Sequence, residues 1–146
     1  MTTIAWDGKT LAADRKVTYG NVSDGAVTKI VKRKKDGALC GCSGNTAEAA
    51  AFKRWFLKGG KGDYPGKLTV EGSVTHAFIL YSPEKLVCYT GNGWYEKDAV
   101  IWAEGSGWEL ALGAMAAGAT ATEAVHIASR FDSNTGSDVD TLELGK

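Results

Sequence analysis

The chain has 146 residues, 44% of them hydrophobic, enough for one compact domain whose core needs no disulfide or metal. Seventeen basic and seventeen acidic residues cancel to a formal net charge of zero, so no overall field draws the protein to nucleic acid or to an anionic membrane. The start lacks the charged-then-apolar pattern of a secretion signal, and runs such as HAFILY fall short of the ~20 residues that span a bilayer, so a cytoplasmic location is expected. Cys40, Cys42 and Cys88, with His76 and His126 beside them, fit no zinc spacing and no CxxC pattern. They read as reduced, packed thiols, and neither a metal nor a cofactor is expected.

In chain order, TTIAW and KTLAAD flank Asp7-Gly8, which predicts a hairpin with a type I′ turn, both central residues having positive φ. TKIVKR and ALCGC flank Lys35-Asp36-Gly37 in the same way, so four strands are expected before any helix. Asn45 then opens NTAEAAAFKRWF: a capping residue, Glu48 three positions on, and apolar residues at helical spacing until Lys58-Gly59-Gly60. After a Gly-rich loop, HAFILYS, KLVCYTG, the Asn92-Gly93 turn, WYE and AVIWAEG read as short antiparallel strands of a second sheet. GWELALGAMAAG and TATEAVHIASRF, the latter with a Thr120/Glu123 capping box, form a helical pair, and VDTLEL returns as a strand.

Strand runs followed by helix runs argue for an α+β fold. Strands such as HAFILY show little polar alternation, so their sheets are covered on both faces. A four-layer αββα sandwich of two antiparallel sheets flanked by helices meets both conditions. Residues 1–146 are expected to form one such domain, the mature chain being 2–146. KRKK before Asp36 reads as solvated turn charge. Trp94, Trp102 and Trp108 read as core or interface anchors, and His126 as structural.

The opening threonines carry the chemistry. A threonine hydroxyl needs a nearby base, and a threonine at a mature N-terminus brings its own α-amine. Thr2 becomes that residue if Met1 is removed. The amine titrates near ~7.7–8, whereas a lysine near ~10.4 needs about 3 units of depression, roughly 4 kcal/mol, to serve equally.

TTIAWDGKTLAADRKVTYGN, TKIVKR, CSGNTAEA, EGSG and FDSNTGSDVD, in this order, resemble the threonine peptidases of the proteasome β-subunit group, most closely the HslV peptidases, which are N-terminal-nucleophile hydrolases. The resemblance covers nearly the whole chain and implies the αββα fold. It also implies peptide-bond hydrolysis through an acyl-enzyme on Thr2. Lys29 would hold positive charge beside Thr2 and Asp14 would orient that lysine. Gly44 would offer its backbone N–H to the oxyanion, and Ser106, Asp132 and Thr135 would form a supporting hydrogen-bond set, Thr135 standing where the family usually has serine. Thr18 and Cys42 are implied as substrate-binding, Cys42 lining a specificity pocket with a small or medium apolar preference. Taken alone, Lys29 and Asp14 would read as an exposed hairpin ion pair, CSGNT and EGSG as strand-to-helix turns, and Asn134-Thr135-Gly136 as a solvated loop.

The implied partners are copies of the chain in a ring-shaped homo-oligomer, unfolded protein or peptide substrates and, as an open possibility, an ATP-dependent unfoldase. No nucleic acid or membrane partner is implied. The chain departs from the pattern at Arg15-Lys16, at Asn45 and in the stretch from Gly59 to Thr75, too short for the family's second helix. Trp55 and Phe56, at the end of the first helix, are then expected to serve as assembly surface. Two alternatives stay open: a silent proteasome-like scaffold, if Met1 is retained, and an amidase of the same fold acting on a small molecule.

Overall fold

The computed structural model describes residues 2–65, 69–70, 73–91 and 93–145. The chain opens with β1 (Thr3–Trp6) and β2 (Thr10–Asp14), then β3 (Lys16–Tyr19), β4 (Val22–Ala26), β5 (Ile30–Lys32) and β6 (Leu39–Ser43), before α1 (Thr46–Leu57). There follow β7 (Thr69–Val70), β8 (Ser73–Val74), β9 (His76–Ser82), β10 (Lys85–Thr90), β11 (Gly93–Lys97) and β12 (Trp102–Gly105). The helices α2 (Trp108–Ala116) and α3 (Ala121–Phe131) precede the closing strand β13 (Val139–Glu143).

One sheet runs β12-β1-β2-β13 and the other β11-β10-β9-β6-β5, all pairings antiparallel. Strand alternation builds the layers. Ile4, Trp6, Leu11 and Ala13 point one way and meet Ile30, Leu39, Phe78 and Leu80 between the sheets. Their neighbours Ala5 and Ala12 point the other way, onto Ala111, Met115, Ala124 and Val125 of α2 and α3. Cys40, Cys42, Ala77 and Ile79 face Ala49, Phe52 and Phe56 of α1. The order is α1, sheet, sheet, α2 with α3, the expected αββα sandwich. The three cysteines are buried free thiols.

The helix signals act as read. Asn45 Oδ1 accepts from the Glu48 N–H at 3.0 Å, and Thr120 and Glu123 close a capping box on α3. His126 is an exposed residue of α3. Trp102 packs in the sandwich, 4.5 Å from Phe78 between centroids, while Trp94 and Trp108 are exposed. Asn92 lies outside the described residues.

Four expectations need correction. Six strands, not four, precede α1, because Lys16–Ala26 forms its own β3–β4 ribbon. It buries no full face, β4 being exposed throughout, so no alternation marks it in the sequence. Second, β12 joins β1 in the first sheet rather than the second, since Trp102 pairs with Trp6. Third, the Asp7-Gly8 turn is not type I′: no residue but glycine has positive φ among the described residues. Asp7 Oδ1 instead accepts from the Lys9 and Thr10 N–H groups at 2.9 and 2.8 Å, an Asx turn. Fourth, Phe56 is core and Trp55 packs partly buried against it. Phe56 is fully buried under the Arg33 guanidinium, 4.4 Å above its ring. Trp55 joins Phe52, Tyr64 and Tyr89 in an aromatic cluster fixed by Tyr64 Oη donating to the Thr90 carbonyl. Among the described residues from 58 to 75 there is no helix, and the segment carrying Tyr64 returns to cover the end of α1.

Candidate active site

Thr2 precedes β1, and each neighbour of β1 ends in a polar group beside it. β2 ends at Asp14, whose Oδ1 accepts from the Thr3 N–H at 2.9 Å. The same carboxylate takes Lys29 Nζ at 3.0 and 3.1 Å, the Lys16 N–H at 3.1 Å and the Gly136 N–H at 2.9 Å. The lysine and aspartate side chains are 7% and 0% exposed, so this is not an exposed hairpin ion pair. Burial pushes the Lys29 ammonium below its ordinary pKa, and the Asp14 charge offsets that only in part.

On the other side, β12 pairs Gly105 with Thr3. Gly105 has φ +98°, and a Cβ there would overlap the Thr2 carbonyl, so only glycine lets β12 run this close. Ser106 Oγ then lies 3.4 Å from the Thr2 carbonyl oxygen and donates to Asp132 Oδ2 at 2.6 Å. Asp132 caps α3, and Thr135 Oγ1 donates to the same oxygen at 2.6 Å. That leaves the Thr3 hydroxyl as donor to Thr135 Oγ1, also at 2.6 Å. Burial works against the Asp132 charge, but the Ser106 and Thr135 hydroxyls and the Asn134 N–H outweigh it and hold its pKa below the ordinary value. Thr135 is 4% exposed and belongs to this network rather than to a solvated loop.

Gly44 follows β6 with φ +107° and lines two cavities that meet at Thr2. One is a cleft of about 910 Å³ bordered by Thr2, Gly44, His76, Glu104, Ser106 and Trp108. The other, about 70 Å³, is bordered by Thr2, Thr18, Lys29, Cys42, Gly44 and Lys53 among others. The sequence-chosen residues thus converge: Thr2, Thr18 and Gly44 at the junction, Lys29 and Cys42 on the small cavity, Ser106 on the cleft. Asp14, Asp132 and Thr135 hold them from behind.

No family model and no curated protein matches this chain. Solved structures do. BPH of Thiobacillus denitrificans superposes with a TM-score of 0.69 at 21% identity, covering 99% of this chain and 98% of that one. Its complex with epoxomicin gives a TM-score of 0.69 at 20% identity, covering 99% of both. Eukaryotic HslV from Trypanosoma brucei gives 0.66 at 24% identity, with 97% of this chain and 98% of that one covered. The chain has the HslV-like, proteasome-like fold.

In this HslV-like frame three residues matter that the sequence reading left without a role. Thr3 ties β1 to both Asp14 and Thr135. Lys53 lies one and two turns beyond Ala49 and Thr46 on the α1 face that borders the small cavity. Glu104, opposite Ile4 in β12, borders the cleft with Oε2 buried and without a hydrogen-bond partner among the described residues. Burial pushes its carboxyl up to about 8, Ser43 and Lys97 pulling the other way. The folded state therefore keeps a proton that the unfolded chain releases near 4.5. Stability from this proton is full below that pH and is lost as pH rises to about 8. Urea unfolding of Glu104→Gln should show a flatter pH profile, the variant gaining roughly 5 kcal/mol on the wild type between pH 4 and 9, the step from 4.5 to about 8 taken at about 1.4 kcal/mol per unit. Parallel profiles would show that Glu104 ionises normally.

Proposed function

We propose that the protein is a threonine-type endopeptidase whose mature chain, residues 2–146, forms one domain with Thr2 as N-terminal nucleophile. The reading rests on one observation above the others: Thr2 sits at the junction of two cavities, flanked by the buried Lys29–Asp14 pair, the Gly44 backbone and the Ser106–Asp132–Thr135 network. With Met1 removed, the Thr2 α-amine takes the hydroxyl proton as Oγ1 attacks a peptide carbonyl. The Lys29 ammonium favours the developing alkoxide, and the Gly44 N–H is the donor proposed for the oxyanion. The amine returns the proton to the leaving nitrogen. The resulting ester is hydrolysed by water, with the same amine as base.

A base of this kind predicts a pH profile. kcat/KM should rise through one ionisation below the ~7.7 of a free α-amine, because the neighbouring ammonium favours its neutral form. A profile independent of pH from 6 to 9 would remove the amine from the mechanism.

The proposed substrates are unfolded proteins or peptides, and the proposed assembly a ring-shaped homo-oligomer that encloses the site, with an ATP-dependent unfoldase as the kind of partner such a ring accommodates. Large apolar groups support an assembly surface: Tyr19 is 82% exposed, Val100 77% and Phe131 68%. Light scattering at micromolar concentration should give a closed oligomer. An active monomer would instead favour a small-molecule amidase, and a uniformly retained Met1 would favour a silent scaffold.

A further inference from the structure

The small cavity beside Thr2 carries a charge pattern that the catalytic reading uses only in part, at Lys29. Lys16, Lys29 and Lys53 all border it, and no carboxylate among the described residues does. Lys29 is matched by Asp14 at 3.0 Å. Lys16 Nζ instead donates to the Ser133 carbonyl at 2.8 Å, and Lys53 Nζ donates to the Thr28 carbonyl. Neither has a carboxylate in salt-bridge range among the described residues. A carbonyl takes one of an ammonium's three protons and none of its charge. The field is felt inside the site, since Lys53 adds to burial in pushing the Lys29 ammonium downward.

The cavity's shape sets what could use that charge. Thr46, Ala49 and Lys53 lie along one face of α1. Thr46 stands two residues from Gly44, and the Lys53 backbone is roughly 10 Å further along the helix axis. Its side chain leans back toward the helix N-terminus. Val27 and Ala49 supply apolar wall, and Cys42 turns its thiol to the Ala49 carbonyl at 3.7 Å. About 70 Å³ admits a short side chain or a few waters.

Resting on the peptidase reading, we propose that this cavity takes an acidic side chain, glutamate or aspartate, from the residue whose carbonyl Thr2 attacks, with Lys53 as the specificity-determining charge. The methylene groups pack on Val27 and Ala49, and the carboxylate completes the ammonium that the Thr28 carbonyl leaves uncompensated. This replaces the apolar preference inferred from Cys42 alone.

The test uses three fluorogenic peptides differing only in Glu, Leu or Arg before the cleaved bond, assayed with the wild type, Lys53→Met and Lys53→Arg. For the wild type, kcat/KM should favour Glu over Leu by about tenfold or more and over Arg by about a hundredfold, a margin that shrinks with added salt. Lys53→Met should lower the Glu/Leu ratio by about tenfold, and Lys53→Arg should keep it. If Lys53→Met fails to fold, the wild-type ratios and their salt dependence decide. Leu or Arg cleaved as well as Glu, or an unchanged ratio in Lys53→Met, overturns the acidic preference while leaving the peptidase reading intact. If protein whose mass begins at Thr2 cleaves none of the three, the peptidase reading fails, and this inference with it.

Discussion

Thr2→Ala is expected to abolish peptide hydrolysis, a loss on the order of 10⁴-fold or more, while the fold persists. Thr2 stands ahead of β1 and belongs to none of the three core clusters, so removing its hydroxyl takes away the nucleophile and little packing. Thr2→Ser keeps hydroxyl and amine and should retain part of the activity. Lys29→Ala should fall between them, since losing one preorganised charge or donor costs about 2.7–4 kcal/mol in the transition state. Steady-state rates with a fluorogenic peptide, checked by circular dichroism for fold, give the answer. A Thr2→Ala protein that turns over at the wild-type rate would place the chemistry elsewhere.

Asp14→Ala is expected to be the most destabilising single change at the site, by about 3–5 kcal/mol in urea unfolding. The carboxylate is fully buried and joins four chain positions: the Thr3, Lys16 and Gly136 N–H groups and both contacts of Lys29 Nζ. Alanine strands three backbone donors and a buried ammonium at once, each at a cost when left unpaired. Asp14→Asn keeps an acceptor oxygen and should cost less in stability, yet Lys29 would then lose its counter-charge. A loss below 1 kcal/mol for Asp14→Ala would mean that water or rearrangement replaces these bonds.

Local signals made much of this molecule legible. Asn45, Thr120 and Glu123 act through bonds spanning three residues, so helix starts are written where they occur. The unbroken apolar run AFIL in β9 revealed sheets covered on both faces, because alternate residues reach different layers. What failed was non-local. Nothing within AVIWAEG says that Trp102 will pair with Trp6 in the other sheet, and nothing at Trp55 says that Tyr64 will return to cover it. The site divides in the same way. Thr2, Asp14, Lys29 and Ser106 were found because each sits in a motif resembling a known family. Lys53 and Glu104 carry no such mark: a lysine on a helix and a glutamate before a Gly-Ser-Gly turn are residue types that ordinarily face solvent. A helical projection from Asn45 would have put Lys53 on the Ala49 face, whereas the burial of Glu104 required β12's partner to be known.

The central claim, that Thr2 is a free N-terminal nucleophile, is tested most directly by mass spectrometry of native protein acid-quenched during turnover of excess peptide substrate, with the modified residue mapped by digestion. The account predicts a chain lacking Met1 and carrying an ester-linked acyl group on the Thr2 hydroxyl. A population that uniformly retains Met1, or an acyl group mapped to any other residue, would contradict it.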